Sequence, residues 1–174
     1  MVKLGHDVEV ILSDSFFIRT TMTRRRSKSS RVVETTYVWD GADRIYLSGY
    51  PGKRDWVANM GASPAVTVHT VEGGSWYDIS GEARVLRDRN ERIPHLIQFI
   101  EHWALRPGFP RWQVQFFLRA LKLNRMLRLP WWGPFYFARK IFDQMPCVEI
   151  TFAAEPVRRL HGPPELSENR DGRP

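Results

Sequence analysis

A chain of 174 residues with 43% hydrophobic content is long enough for one domain that buries about 70% of its unfolded surface, which excludes a wholly disordered protein. Its single cysteine, Cys147, excludes an internal disulfide and points to a reducing compartment. No apolar run approaches the ~20 residues that span a bilayer. The formal net charge of +7 attracts anions, whether nucleic acid, anionic lipid or a phosphorylated cofactor, without choosing among them.

In chain order, MVKLGHDVEV lacks the apolar core and small-residue cleavage site of a signal peptide, so a cytoplasmic location is expected. Val8, Val10 and Leu12 alternate as in a short strand, and Ser13-Asp14-Ser15 reads as a turn. Phe16, Ile18, Thr20 and Met22 mark a clearer strand. The basic run Thr23 to Arg31 follows, readable as a nucleic-acid arm, as a hairpin loop placing Arg25 and Arg31 near a phosphate, or as a solvated loop. Val32 to Trp39 forms the next strand, Asp40-Gly41 a turn, and Arg44 to Ser48 the return strand of a hairpin.

The stretch Gly49-Tyr50-Pro51-Gly52 then breaks the chain ahead of a short helix. Trp56, Val57 and Met60 share one side of that helix, with Lys53, Arg54 and Asn59 elsewhere, and it must end before Pro64. Strand, glycine loop and basic helix start together offer backbone N–H groups, a helix dipole and two cations to one anion. The same pattern also fits a tight turn followed by a solvated helix tip.

Val66, Val68 and Thr70 alternate in another strand, Glu72-Gly73-Gly74 turns, and Ser75 to Leu86 runs as a long strand with a bulge expected at Gly81. Helical spacing begins after Asp88, which with Glu91 fits a cap, and passes through Ile93, Leu96, Ile97, Ile100 and Ala104. A second helix, apolar all round, extends from about Arg111 to Arg128, and a third from about Phe135 to Met145. The last strand covers Cys147 to Ala153, and the composition from Glu155 onward is that of a partly disordered tail. The expectation is therefore a mainly β, α+β fold. It is a single domain over 1–154, a barrel of antiparallel strands with a helical insert at 88–145, followed by a loose tail at 155–174.

The aromatic, basic part of the insert (Trp131, Trp132, Phe135, Tyr136, Phe137 near Arg125, Arg128, Arg139 and Lys140) has three readings. It can pack on the barrel or a second subunit, form a lid over an apolar pocket, or lie at a membrane surface. Under the lid reading Tyr136 is the side chain placed to give a proton to a substrate. The five histidines show no metal-ligand spacing, and nucleophile-elbow, Walker and dinucleotide fingerprints are missing from the sequence.

Four segments, TTMTRRRSKSSR (20–31), Trp39-Asp40-Gly41, IYLSGYPGKRDWVAN (45–59) and SPAVTV (63–68), resemble the deazaflavin-dependent nitroreductase family. That family lies within the pyridoxamine 5'-phosphate oxidase-like, FMN-binding split-barrel group. The match covers residues 16–71, and S-G-x-P-G-x-R-D-W-x-A-N is its most specific part. The resemblance implies a six-stranded antiparallel split β-barrel, usually a homodimer. It also implies binding of the deazaflavin coenzyme F-420, or else FMN, with hydride transfer to a small nitro, quinone or enone acceptor. By that pattern Arg25, Ser27 and Arg31 lie near the cofactor's phosphate-bearing tail. Ser48, Gly49, Gly52, Lys53, Arg54, Asp55, Trp56 and Asn59 build the loop–helix cradle. Lys28 stands where the family usually has Gly, and Glu34 where it often has Pro. A non-catalytic cofactor carrier on the same barrel and a membrane-surface module are the rival expectations. Nucleic acid ranks last, because the aromatics sit apart from the Arg24–Arg31 run.

Overall fold

A computed structural model describes residues 2–49, 54–106, 111–130, 132–133 and 136–167, without the side chains of Arg111 and Val114. Its elements are α1 (His6–Asp14), β1 (Phe17–Thr23), β2 (Ser30–Trp39), β3 (Arg44–Ser48), α2 (Asp55–Ala62), β4 (Ala65–Thr70) and β5 (Tyr77–Val85). After them come α3 (Arg89–Trp103), α4 (Arg111–Met126), α5 (Tyr136–Gln144), β6 (Cys147–Phe152) and β7 (Val157–Arg158).

The strands run β4-β1-β2-β3-β6-β5, and β5 pairs back on β4 to close a six-stranded antiparallel barrel, with β7 added along β5. Closure pairs each of those six strands on both sides, and β7 covers the start of β5, which extends past its pairing with β6. The inserted helices follow the expected plan: α3 to α5 lie between β5 and β6, and Asp88 caps α3 by accepting the Glu91 N–H at 3.0 Å.

Alternation in β1, β4 and β5 sends Ile18, Met22, Val66, Val68, Ile79 and Ala83 into the barrel, where they meet Tyr37, Ile45, Leu47, Met60, Val148 and Ile150. The Tyr37 hydroxyl donates to the Leu12 carbonyl at 2.9 Å, and burial pushes its pKa upward. On β3 the alternation is masked, because its outer face is buried too. Tyr46 lies in a second cluster with Leu86, Leu96, Phe99, Phe142, Met145 and Cys147, beneath α3 and α5, and its ring stacks on His95 at 3.7 Å.

Three local readings change. The N-terminal segment is helical and not a strand: Val8, Ile11 and Leu12, spaced i, i+3, i+4, are its buried residues, and Val10 faces out. Gly81 carries no bulge, since β4 and β6 pair with it one for one (Val66↔Gly81, Gly81↔Phe152). It is glycine because a Cβ would meet Ile150 Cγ2 at 2.8 Å and the Thr151 carbonyl at 2.9 Å. Residues 155–167 return to the sheet. Val157 and Arg158 pair with Asp78 and Tyr77, Pro164 O accepts from Arg19 at 2.9 Å, and Ser167 Oγ accepts the Val32 N–H at 2.8 Å. Residues 168–174 lie outside the described residues.

Candidate functional site

The β1–β2 hairpin carries the basic run at its tip. Arg24 N–H donates to the Ser29 carbonyl at 2.8 Å, and Lys28 N–H to the Arg24 carbonyl at 3.0 Å. This tight reversal holds Lys28 at φ +57°, a left-handed conformation that glycine adopts without steric penalty. The departure at Lys28 therefore falls where the backbone itself favours glycine. Glu34, the other departure, lies opposite Arg19 in the ladder and pairs with it at 2.9 Å, a cross-strand contact that proline would remove.

The hairpin tip lies against the start of α2. Arg25 donates its backbone N–H to Asn59 Oδ1 at 3.2 Å, and its guanidinium stands 4.0 Å from Asp55 Oδ1. Asp55 is the first residue of α2, and its carboxylate suits the positive end of the helix dipole. Arg54 is the residue before the helix, extended and exposed. Two elements far apart in sequence thus bring Arg25, Arg54, Asp55 and Asn59 together.

The other sequence-predicted residues fall in different surroundings. Ser27 is exposed, 2.8 Å from the Ser29 hydroxyl, and Arg31 is opposite Met22 in the ladder. The Ser48 hydroxyl is buried and donates to the Pro146 carbonyl at 2.7 Å, tying β3 to the segment ahead of β6. Gly49 is partly exposed. Trp56, only 7% exposed, belongs to the barrel core, and Asn59 is buried on the same side, not outside it as helical spacing suggested. Gly52 and Lys53 lie outside the described residues. Tyr136 stands at the open end of α5, 65% exposed, edge-on to Trp132 at 5.7 Å.

On the other flank of α2 is a cavity of about 640 Å³, within the size range of small-molecule sites. Val57, Leu86 and Met145 give it apolar walls, and Arg87, Arg92 and Asp143 give it charge. None of the sequence-predicted residues lines it among the described residues. Arg92 Nε is buried without a hydrogen-bond partner among those residues. Cys147 also lines the cavity, and burial pushes its thiol up to about 12, so it is not a nucleophile at neutral pH. Tyr136 lies seven residues, about 10 Å along the helix, from Asp143, and that placement gives it no part in this cavity.

Sequence reading also passed over a polar chain beside the barrel, buried at His69 and half-buried at its other members. Asp78 can only accept, so His69 Nδ1–H donates to it at 2.6 Å and His69 Nε2 accepts from the Thr21 hydroxyl at 2.7 Å. Arg159 completes the chain on Asp78 Oδ2 at 2.8 Å. Burial lowers the His69 pKa, partly offset by Asp78, so the neutral imidazole suits these partners. The signal was present, because His69 and Asp78 are equidistant from Gly73-Gly74 and a hairpin there places them opposite one another.

Among the described residues no group of three or more His, Cys, Asp or Glu is arranged to hold a metal. None of the helices they form is long and apolar enough to cross a membrane.

No protein-family model and no curated protein matches the chain. Solved structures do. A conserved hypothetical protein of Mycobacterium tuberculosis aligns at TM-score 0.59 and 13% identity, over 98% of this chain and 95% of that one. A candidate pyridoxamine 5'-phosphate oxidase from Listeria innocua aligns at TM-score 0.52 and 12% identity, over 86% and 92%. An F420 reductase aligns at TM-score 0.50 and 16% identity, over 88% and 97%. At these identities the likeness is one of fold: the closed six-stranded barrel with its helices is the split barrel of these proteins.

Proposed function

We propose that the chain binds a flavin-class redox cofactor, the deazaflavin coenzyme F-420 in the first instance, and reduces a small organic acceptor of nitro, quinone or enone type. The observation that carries this reading is the meeting of the hairpin tip with the start of α2, where Arg25 lies beside Asp55 and Asn59. A flat ring with an anionic tail needs charge-assisted donors for the tail and an apolar wall for the ring. Arg25, Arg54 and the first N–H groups of α2 would serve the tail. The cavity at Val57, Leu86 and Met145, which touches the same helix through Val57, supplies the apolar wall. When bound, such a cofactor supplies the hydride chemistry. The chain's own residues orient it and keep water from the apolar wall. A homodimer is part of the same proposal, by the resemblance in residues 16–71.

Titrating the purified protein with F-420 and with FMN, by fluorescence or calorimetry, tests the reading. Micromolar or tighter binding of one of them is expected, and Arg25→Ala should weaken it by about tenfold, the size of one lost charge-assisted bond. FMN binding alone would assign the site to FMN, and binding of neither would overturn the proposal. Binding with no turnover of a nitro, quinone or enone acceptor would make the protein a carrier.

A further inference from the structure

The whole formal charge of this protein resides in one apolar stretch. Residues 111–142 contain seven Lys or Arg and no Asp or Glu. Removing those seven from the chain's 26 leaves 19 cations against 19 carboxylates elsewhere. Within this stretch α4 turns Leu121 inward. Trp112, Phe116, Leu123, Met126 and Leu127 are all at least half exposed, with Trp112 at 73%. At 100° per residue these five fall within an arc of about 100°, so they form one outward face. Arg119 lies inside that arc, and Leu129, Tyr136 and Phe137 extend the exposed apolar surface toward α5. The Arg139 guanidinium lies 5.8 Å from the Trp132 ring and 5.9 Å from the Tyr136 ring.

We propose that this face binds the surface of an anionic bilayer, α4 lying in the plane of the headgroups. Charge complementarity selects that occupant. A second copy docked isologously would set one cationic, carboxylate-free α4 against another across an apolar seam. Arg139 pairs with Asp143 at 3.9 Å, but a neutral hydrophobic partner would supply no counter-charge to the cations of α4. A mixture of exposed Trp, Tyr, Phe and Leu with Lys and Arg, free of carboxylates, is the composition of an interfacial helix. At 16 residues, about 24 Å, α4 can lie on a membrane without crossing it.

Flotation of the full chain with vesicles of phosphatidylglycerol and phosphatidylcholine, against phosphatidylcholine alone, tests this at low and high salt. Partition at least tenfold greater on the anionic vesicles is expected, falling steeply as salt rises. The double variant Phe116→Glu, Leu127→Glu should lower that partition by tenfold or more while keeping the parent circular dichroism spectrum and melting temperature, both positions being exposed. Changing Arg24 and Arg26 to Ala should leave it intact, which separates this face from the hairpin tip. Equal partition on neutral vesicles, no partition, or partition unmoved by the glutamate variant would overturn the proposal. So would a concentration-dependent dimer that Phe116→Glu abolishes, since the face would then be a subunit contact.

Discussion

The barrel interior and the helical layer outside it solve the same packing problem to different degrees. Inside, Tyr37, Ile45, Leu47, Met60, Val68, Ile79 and Ile150 are sealed by six paired strands together with α1 and α2. Outside, α3 and α5 cover β3 and β6 through Tyr46, Leu96, Phe99 and Phe142, but α4 hands most of its large apolar side chains to the surroundings. The difference shows where folding alone explains an apolar residue and where an outside occupant must. Ile45 is accounted for by the barrel. Phe116 is not.

Truncations should rank the two regions. Ile45→Ala, which opens a hole where the walls cannot collapse, should lower unfolding free energy by about 4 kcal/mol in urea titrations. Leu96→Ala, in the outer cluster under a single helical layer, should lower it by about 3 kcal/mol. Equal losses would mean that the two clusters are equally rigid. Gly81→Ala should cost about 2 kcal/mol through overpacking against Ile150 and the Thr151 carbonyl, read in the same titrations. A neutral result there would show that β6 can move aside.

The polar chain at His69 makes a pH prediction. Its folded pKa lies below the unfolded value of about 6.5, so the folded state binds fewer protons than the unfolded state in the window between them. The contribution is therefore fully present above about pH 6.5 and is lost as pH falls through the folded pKa. Stability measured from pH 8 down to pH 5 should decline below 6.5, and His69→Gln should flatten that part of the curve. Smallest of all, Leu123→Ser on the outward face of α4 should change stability by less than about 0.5 kcal/mol. A larger loss would mean that α4 is covered within the molecule.

The barrel was legible in the sequence wherever one face of a strand is wet. Alternation located β1, β4 and β5, β-branched and aromatic content located β2, and the turn at Asp40-Gly41 set the β2–β3 hairpin, where Asp40 Oδ1 accepts the N–H groups of Ala42 and Arg44. Alternation failed to assign Tyr46 and Ser48 because helices that follow in sequence bury the second face of β3. In α1 the alternation of Val8, Val10 and Leu12 pointed to a strand, whereas Val8, Ile11 and Leu12 share one face of a helix, and Val8 and Leu12 join the barrel core. At the candidate site, sequence brought out the hairpin tip and the start of α2. Asn59 could not be placed inside, because a lone polar residue shows no periodicity, and its partner is a backbone N–H 34 residues earlier. The cavity walls at Leu86, Arg92 and Met145 come from the end of β5, from α3 and from the end of α5, a convergence that only the assembled fold reveals.

The segment after β6 is more than an appendage. By laying β7 along β5 and sending Ser167 to β2, it works as a seam across strands that are distant in sequence. A stop codon near position 155 would therefore unclasp Arg159 from Asp78 and strip the margin of β5 that β7 protects. An affinity tag belongs on the amino-terminal side, and a carboxy-terminal trimming series should find its first insoluble product well before the last barrel strand is reached.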